Sequence, residues 1–173
     1  DKLEVLDCKA HEISMDEMAK KVKEKNPDVV VMGEQLHSYG GYGVVWYFNQ
    51  AARRIKAVLP NTKIILGGLW YSAMPVETLE GNPAVDCVVM GEEEAFFGLI
   101  EAIDKKKNLK EIGGVTVRLG QEISMGPYKP LLQDLDTLPL PAYDLFPMDK
   151  YVGHTHWKPF VDMVSSRGCP SAC

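Results

Sequence analysis

Three short apolar runs, each ending in glycine, constrain this chain more than any other feature. They are "DVVVMG" (Asp28 to Gly33), "KIILGG" (Lys63 to Gly68) and "DCVVMGE" (Asp86 to Glu92). Unbroken apolar runs of this length suit strands covered on both faces, which is the situation inside a parallel sheet. Parallel neighbours need crossover connections, and helical patterns lie between the runs. Val44, Val45, Phe48, Ala52, Ile55 and Leu59 recur at helical spacing until Pro60 and Asn61 stop them. Pro75 opens a short helical turn in "MPVETLE", and another helix is expected from about Glu93 to Lys106.

Upstream, "LEVLDC" (Leu3 to Cys8) alternates and reads as a further strand. Ser14 then caps a helix expected to reach about Lys25. Glu17 completes a capping box, Ile13 and Met18 are placed to staple the entry, and Pro27 forbids continuation. The expected order is βαβαβ(α)βα, an α/β chain with an open, doubly wound parallel sheet. "VTVRLGQEISM" (Val115 to Met125) changes to a period of two around Gly120 and reads as a hairpin appended to that sheet. Pro127, Pro130, Pro139, Pro141 and Pro147 then break every period. "LPLPAYDLF" is too apolar for a free tether, so this linker is expected to lie along the domain surface. "FVDMVSS" (Phe160 to Ser166) reads as the first strand of a second domain.

The 173 residues carry a net charge of −5 with the signs interspersed, so no clustered basic face points to nucleic acid. The only basic run, Lys105 to Lys107, is a solvated helix end. No segment reaches the roughly 18 apolar residues that span a bilayer, and no signal peptide is evident. Cys8 and Cys87 adjoin or enter apolar runs instead of forming a secreted disulfide framework, which points to a reducing cytoplasm. The chain opens on Asp1 and closes on a cysteine inside a motif, so an excerpt of a longer protein is expected.

Ligands of open parallel sheets bind at the carboxyl ends of the strands. Gly33, Gly67 with Gly68, and Gly91 fall at three such ends, where a missing Cβ lets a ligand approach the backbone. Each glycine alone is also ordinary turn chemistry. The loop "GEQLHSYGGYG" (Gly33 to Gly43) would project over that edge. It does not complete a dinucleotide fingerprint, because Trp46 stands where the third glycine belongs. His37 is a metal or cobalt ligand or simply a solvated loop histidine. Glu92, Glu93 and Glu94 suit the start of a helix dipole, and Glu92 can also accept a hydrogen bond from a ligand. Asp86 begins a strand instead of ending one, which argues against a phosphoacceptor receiver domain. His154 and His156 lack zinc spacing.

The chain closes on "SSRGCPSAC", with Cys169 and Cys173 four apart. Two thiolates at this spacing can ligate one iron–sulfur cluster, or they are two free cysteines at a chain end. After an apolar strand, the stretch resembles the opening of the radical S-adenosylmethionine motif, cysteine-x3-cysteine-x2-cysteine. "NPDVVVMG", "VLPNTKIILGG", "ETLEGNPAVDCVVMGEEEAF" and "LDTLPLPAYDLFPMDKY" resemble, in that order, the amino-terminal half of cobalamin-binding radical S-adenosylmethionine enzymes. That family includes the anaerobic magnesium-protoporphyrin monomethyl ester cyclases.

The resemblance implies a flavodoxin-like (Rossmann-like) sheet holding cobalamin over its carboxyl edge. The matching positions are Gly33, Glu34, Gln35, Leu36 and His37 after one strand, Gly67, Gly68 and Leu69 after the next, and Gly91 and Glu92 after the last. It further implies Cys169 and Cys173 as two ligands of a [4Fe-4S] cluster that chelates S-adenosylmethionine and cleaves it to a 5′-deoxyadenosyl radical. Cobalamin would donate a methyl group to a substrate radical or assist a redox step on a small-molecule substrate of unknown kind. The implied domains are 1–126 for cobalamin, 127–158 as linker and 159–173 as the start of a radical S-adenosylmethionine barrel. Two departures stand out. The family's first strand and helix are missing, which makes Leu3 to Asp7 the second strand, and the Asp-x-His-x-x-Gly signature of a cobalt-ligating histidine is absent. The competing reading is a non-catalytic flavodoxin-like module that binds a cofactor or a partner.

Overall fold

The computed structural model describes residues 2–34, 41–91, 94–130, 132–152 and 158–161. The chain divides into two compact units, residues 19–130 and residues 1–18 with 131–173.

Helix α1 (Met15–Lys25) begins where the capping residues place it, with Glu17 N–H donating to Ser14 Oγ at 3.2 Å. It ends at Asn26, whose φ of 47° reverses the chain ahead of Pro27. The elements that follow are β1 (Val29–Glu34), α2 (Gly41–Val58), β2 (Lys63–Gly68), α3 (Leu69–Ala73), α4 (Pro75–Gly81), β3 (Cys87–Val89) and α5 (Glu94–Asp104). The hairpin β4 (Val115–Leu119) and β5 (Glu122–Met125) turns at Gly120, whose φ is 64°.

The sheet order is β1-β2-β3-β4-β5. The first three strands are parallel, and β4 and β5 join antiparallel, so the sheet is mixed and not wholly parallel. Strand β2 lies between β1 and β3, and Ile64, Ile65 and Leu66 are fully buried on its two faces. Ile65, Cys87, Val89, Val115 and Val117 pack with Ala95 and Leu99 of α5. By the alternation of side chains, Ile64, Leu66 and Val88 face the other way, and α2, α3 and α4 follow and contact the parallel strands. Helices thus flank a sheet whose inner strands are dry.

At the amino ends of β2 and β3, Asp86 acts as a charged clasp. Its carboxylate accepts from Ile64 N–H at 2.8 Å, Lys56 Nζ at 2.6 Å and Lys63 Nζ at 3.1 Å. This side chain fixes the start of both strands and lies at the end opposite their glycines. Among the described residues, no helix is long and apolar enough to cross a membrane.

One expected strand is not formed. Residues 3–7 pair with no strand of the sheet, and Leu3, Val5 and Leu6 are exposed. The chain turns just after this stretch, where Asp7 Oδ1 accepts from Ala10 N–H at 2.8 Å and His11 N–H donates to Asp7 O at 3.2 Å. Strand β3 is also shorter than expected, because the turn at Gly91 (φ 77°) follows closely. The Pro-rich stretch forms three single 3-10 turns, Leu135–Thr137, Tyr143–Leu145 and Met148–Lys150. Phe160 and Val161 are not in a strand, and the rest of that expected strand lies outside the described residues.

Within the smaller unit, Tyr151 Oη donates to Asp7 Oδ2 at 2.5 Å. Burial and the Asp7 carboxylate push the Tyr151 hydroxyl up from 10.0 to about 12. Burial would raise the Asp7 carboxyl, but hydrogen bonds from Ala10 N–H and Tyr151 Oη outweigh it and hold the group below its ordinary value. The raised tyrosine contributes stability in full below pH 10 and loses it as pH rises through about 12. The depressed aspartate contributes above 3.8 and loses it as pH falls through its lowered value. Ultraviolet titration of tyrosinate should therefore include a late-ionising step from Tyr151. Tyr151→Phe should delete it, and Asp7→Asn should move it back toward 10; an unchanged titration in Asp7→Asn contradicts the pair.

Candidate functional site

Parallel pairing brings the glycine-ended strands to one edge. Gly33 of β1 lies directly opposite Gly67 of β2, and Glu34 opposite Gly68. Gly67 in turn pairs with Val89 of β3, and Gly91 follows two residues later. The sequence-derived positions Gly33, Gly67, Gly68 and Gly91 are therefore assembled on a single rim, and the backbone of Glu34 belongs to it. Leu69 begins α3 at the rim and is 55% exposed. Gln35, Leu36, His37, Glu92, Cys169 and Cys173 lie outside the described residues.

The glycines serve different purposes. Among the described residues, a Cβ on Gly33 would meet Gly67 O, at 3.7 Å, and a Cβ on Gly91 would meet nothing within 4 Å. Gly67 is buried, and a Cβ there would lie 2.7 Å from Phe96 Cζ of α5. Its missing side chain makes room for that ring. Gly68 has φ 119° and ψ 177°, a conformation that is nearly glycine-only. It lets β2 turn directly into α3 with no intervening loop.

Three side chains absent from the sequence-derived set complete the rim. Ser72, in α3, donates its hydroxyl to Gly68 O at 2.7 Å and accepts from Gly91 N–H at 2.9 Å. One hydroxyl thus joins the turn after β2 to the turn after β3. Tyr71 is fully buried beneath the rim and donates to Val45 O of α2 at 3.3 Å. Phe96 fills the space under Gly67. A signal for Ser72 is present in the sequence: a serine four residues after a strand-ending glycine can bond back to the carbonyl at i−4. Its second partner comes from 19 residues along the chain and has no local signature.

The rim offers space more than hydrogen-bond donors. Gly91 N–H is spent on Ser72, and Met90 N–H is spent on Gly114 O at 2.8 Å. Cys87 lies at the amino end of β3, beside Asp86 and away from the rim, where burial, aided by the neighbouring Asp86 carboxylate, pushes its thiol up to about 12. It therefore stays a thiol and is a poor metal ligand or nucleophile. Among the described residues, no group of three His, Cys, Asp or Glu side chains converges to hold a metal ion. The arrangement suits a broad, flat ligand seated against backbone and the apolar Leu69.

Comparison with known proteins points the same way. The family model described as the B12 binding domain matches residues 2–100. An uncharacterized methyltransferase of Pyrococcus horikoshii is 32% identical over 173 residues, covering 99% of this chain and 36% of that protein. The anaerobic magnesium-protoporphyrin IX monomethyl ester cyclase of Synechocystis is 32% identical over 116 residues, 66% of this chain and 23% of that protein. Among solved structures, the radical S-adenosylmethionine methyltransferase TsrM of Kitasatospora setae, with cobalamin and a [4Fe-4S] cluster bound, aligns with a TM-score of 0.61. It is 17% identical and covers 78% of this chain and 24% of that one, a likeness of fold. The chain thus spans about a third or less of the length of these relatives.

Gly68→Ala should destabilise the chain by ~1–3 kcal/mol, since alanine is strained at that backbone geometry. Gly43→Ala, inside α2 with open space around the added methyl, should be neutral or stabilising by up to ~1 kcal/mol. Urea denaturation of both variants checks the contrast; equal effects would mean that the β2–α3 turn is not built as described.

Proposed function

This chain belongs to the B12 binding domain family, and on that premise we propose that its strand-end rim seats cobalamin within a larger radical S-adenosylmethionine enzyme. The in-register pairing of Gly33 with Gly67 carries the reading, because it gathers bare backbone on one edge of the region the family model matches. Gly33, Glu34, Gln35, Leu36 and His37 would border the cofactor from β1, Gly67, Gly68 and Leu69 from β2, and Gly91 and Glu92 from β3. Leu69 supplies apolar contact to the macrocycle, while Phe96 and Tyr71 support the floor from below. When bound, cobalamin supplies methyl transfer or redox chemistry at its cobalt.

Residues 1–126 would form the cobalamin domain, 127–158 a linker, and 159–173 the start of the catalytic barrel. Cys169 and Cys173 would ligate a [4Fe-4S] cluster that holds S-adenosylmethionine, with the remaining ligand supplied beyond this chain. The methyltransferase and cyclase names of the relatives support an enzymatic parent that acts on a small molecule by methyl transfer or oxidative ring closure. The buried free thiol of Cys87 supports a reducing, cytoplasmic setting.

Hydroxocobalamin mixed with the purified chain should co-elute on gel filtration and change its visible spectrum on binding. Flavin mononucleotide should pass through unretained. Retention of flavin without cobalamin would overturn the assignment and favour a different flavodoxin-like module.

A further inference from the structure

The double hydrogen bond of Ser72 reaches beyond the packing of its own helix. Its hydroxyl donates to Gly68 O, four residues back, and accepts from Gly91 N–H on the adjacent strand end. Both glycines have positive φ, 119° and 77°, so both turns depend on backbone conformations that few side chains permit. Such turns hold one geometry only where neighbouring groups determine it. At Gly91 the bond to Ser72 does this, and among the described residues a Cβ at that position would touch nothing within 4 Å.

Thr78 provides an internal comparison. Its hydroxyl makes the same backward bond in α4, donating to Met74 O at 2.7 Å. That bond stays within the local turn of chain, and Thr78 lies away from the rim. Ser72 differs only in its second bond, the one that crosses from β2 to β3.

We propose that Ser72 is a positioning residue for cobalamin: its single hydroxyl sets the spacing between the turns at Gly68 and Gly91 on which the cofactor rests. The inference rests on the cobalamin reading given above. The ligand has no need to touch Ser72. Removing the hydroxyl frees Gly91 N–H and lets the two flanks of the rim move independently. Binding must then order a turn that is already ordered in the parent chain, and affinity falls by that ordering cost. Because the Gly91 amide is committed to Ser72, the loss reflects shape and not a missing ligand contact.

The test titrates hydroxocobalamin into the whole chain and into Ser72→Ala, Ser72→Thr and Thr78→Ala, reading the visible spectrum. Amide exchange of Gly91 is followed without ligand. Ser72→Ala should bind about tenfold more weakly, a loss equivalent to one well-made hydrogen bond, and should show faster Gly91 exchange. Ser72→Thr keeps the hydroxyl and should restore both, and Thr78→Ala should match the parent. Parent-like affinity in a folded Ser72→Ala overturns the positioning role, as does an equal loss in Thr78→Ala. Failure of the parent chain itself to bind cobalamin sinks the functional reading instead, while Gly91 exchange still reports on the hydrogen bond.

Discussion

Parallel pairing of β1, β2 and β3 in one register is the constraint on which the rest depends. Backbone hydrogen bonds place Gly33 beside Gly67 and Gly67 beside Val89, so three strand ends finish at one edge. A slip of one residue would turn each strand's inner side chains outward and separate the glycines. Burial resists that slip, because Ile64, Ile65 and Leu66 have no exposed face to exchange into. Asp86 resists it at the other end, since its carboxylate holds Ile64 N–H and two lysines together. The clasp and the rim are opposite ends of the same two strands, and the first keeps the second in place.

From that register comes a division of labour among residues that look alike in the sequence. Gly33 and Gly91 leave space, Gly67 admits a ring from α5, and Gly68 allows an abrupt turn from strand to helix. The free amides near the rim are largely used internally, by Ser72 at Gly91 and by Gly114 at Met90.

Much of this was legible before any coordinates. Apolar runs ending in glycine gave the parallel strands, the Ser14–Glu17 pair gave the start of α1, and the change of period at Gly120 gave the hairpin. Alternation misled at Leu3 to Cys8, because a strand needs a partner as well as a pattern, and Leu3, Val5 and Leu6 remain exposed. Helix α3 escaped notice since five residues carry too little periodicity. The packing of Phe96 against Gly67 comes from 29 positions along the chain and has no local signature. The bond from Ser72 to Gly91 escaped for the same cause: local sequence encodes turns, whereas side chains brought together across a sheet are encoded only by the completed fold.

The most direct measurement is hydrogen–deuterium exchange of the chain with and without hydroxocobalamin, resolved to short peptides. Protection should concentrate on the segments containing Gly33, Gly67 to Leu69 and Met90 to Gly91, and leave the Asp86 end of the strands and the β4–β5 hairpin unchanged. Cobalamin that binds while these rim segments exchange as freely as before would show that the glycine edge is not its seat.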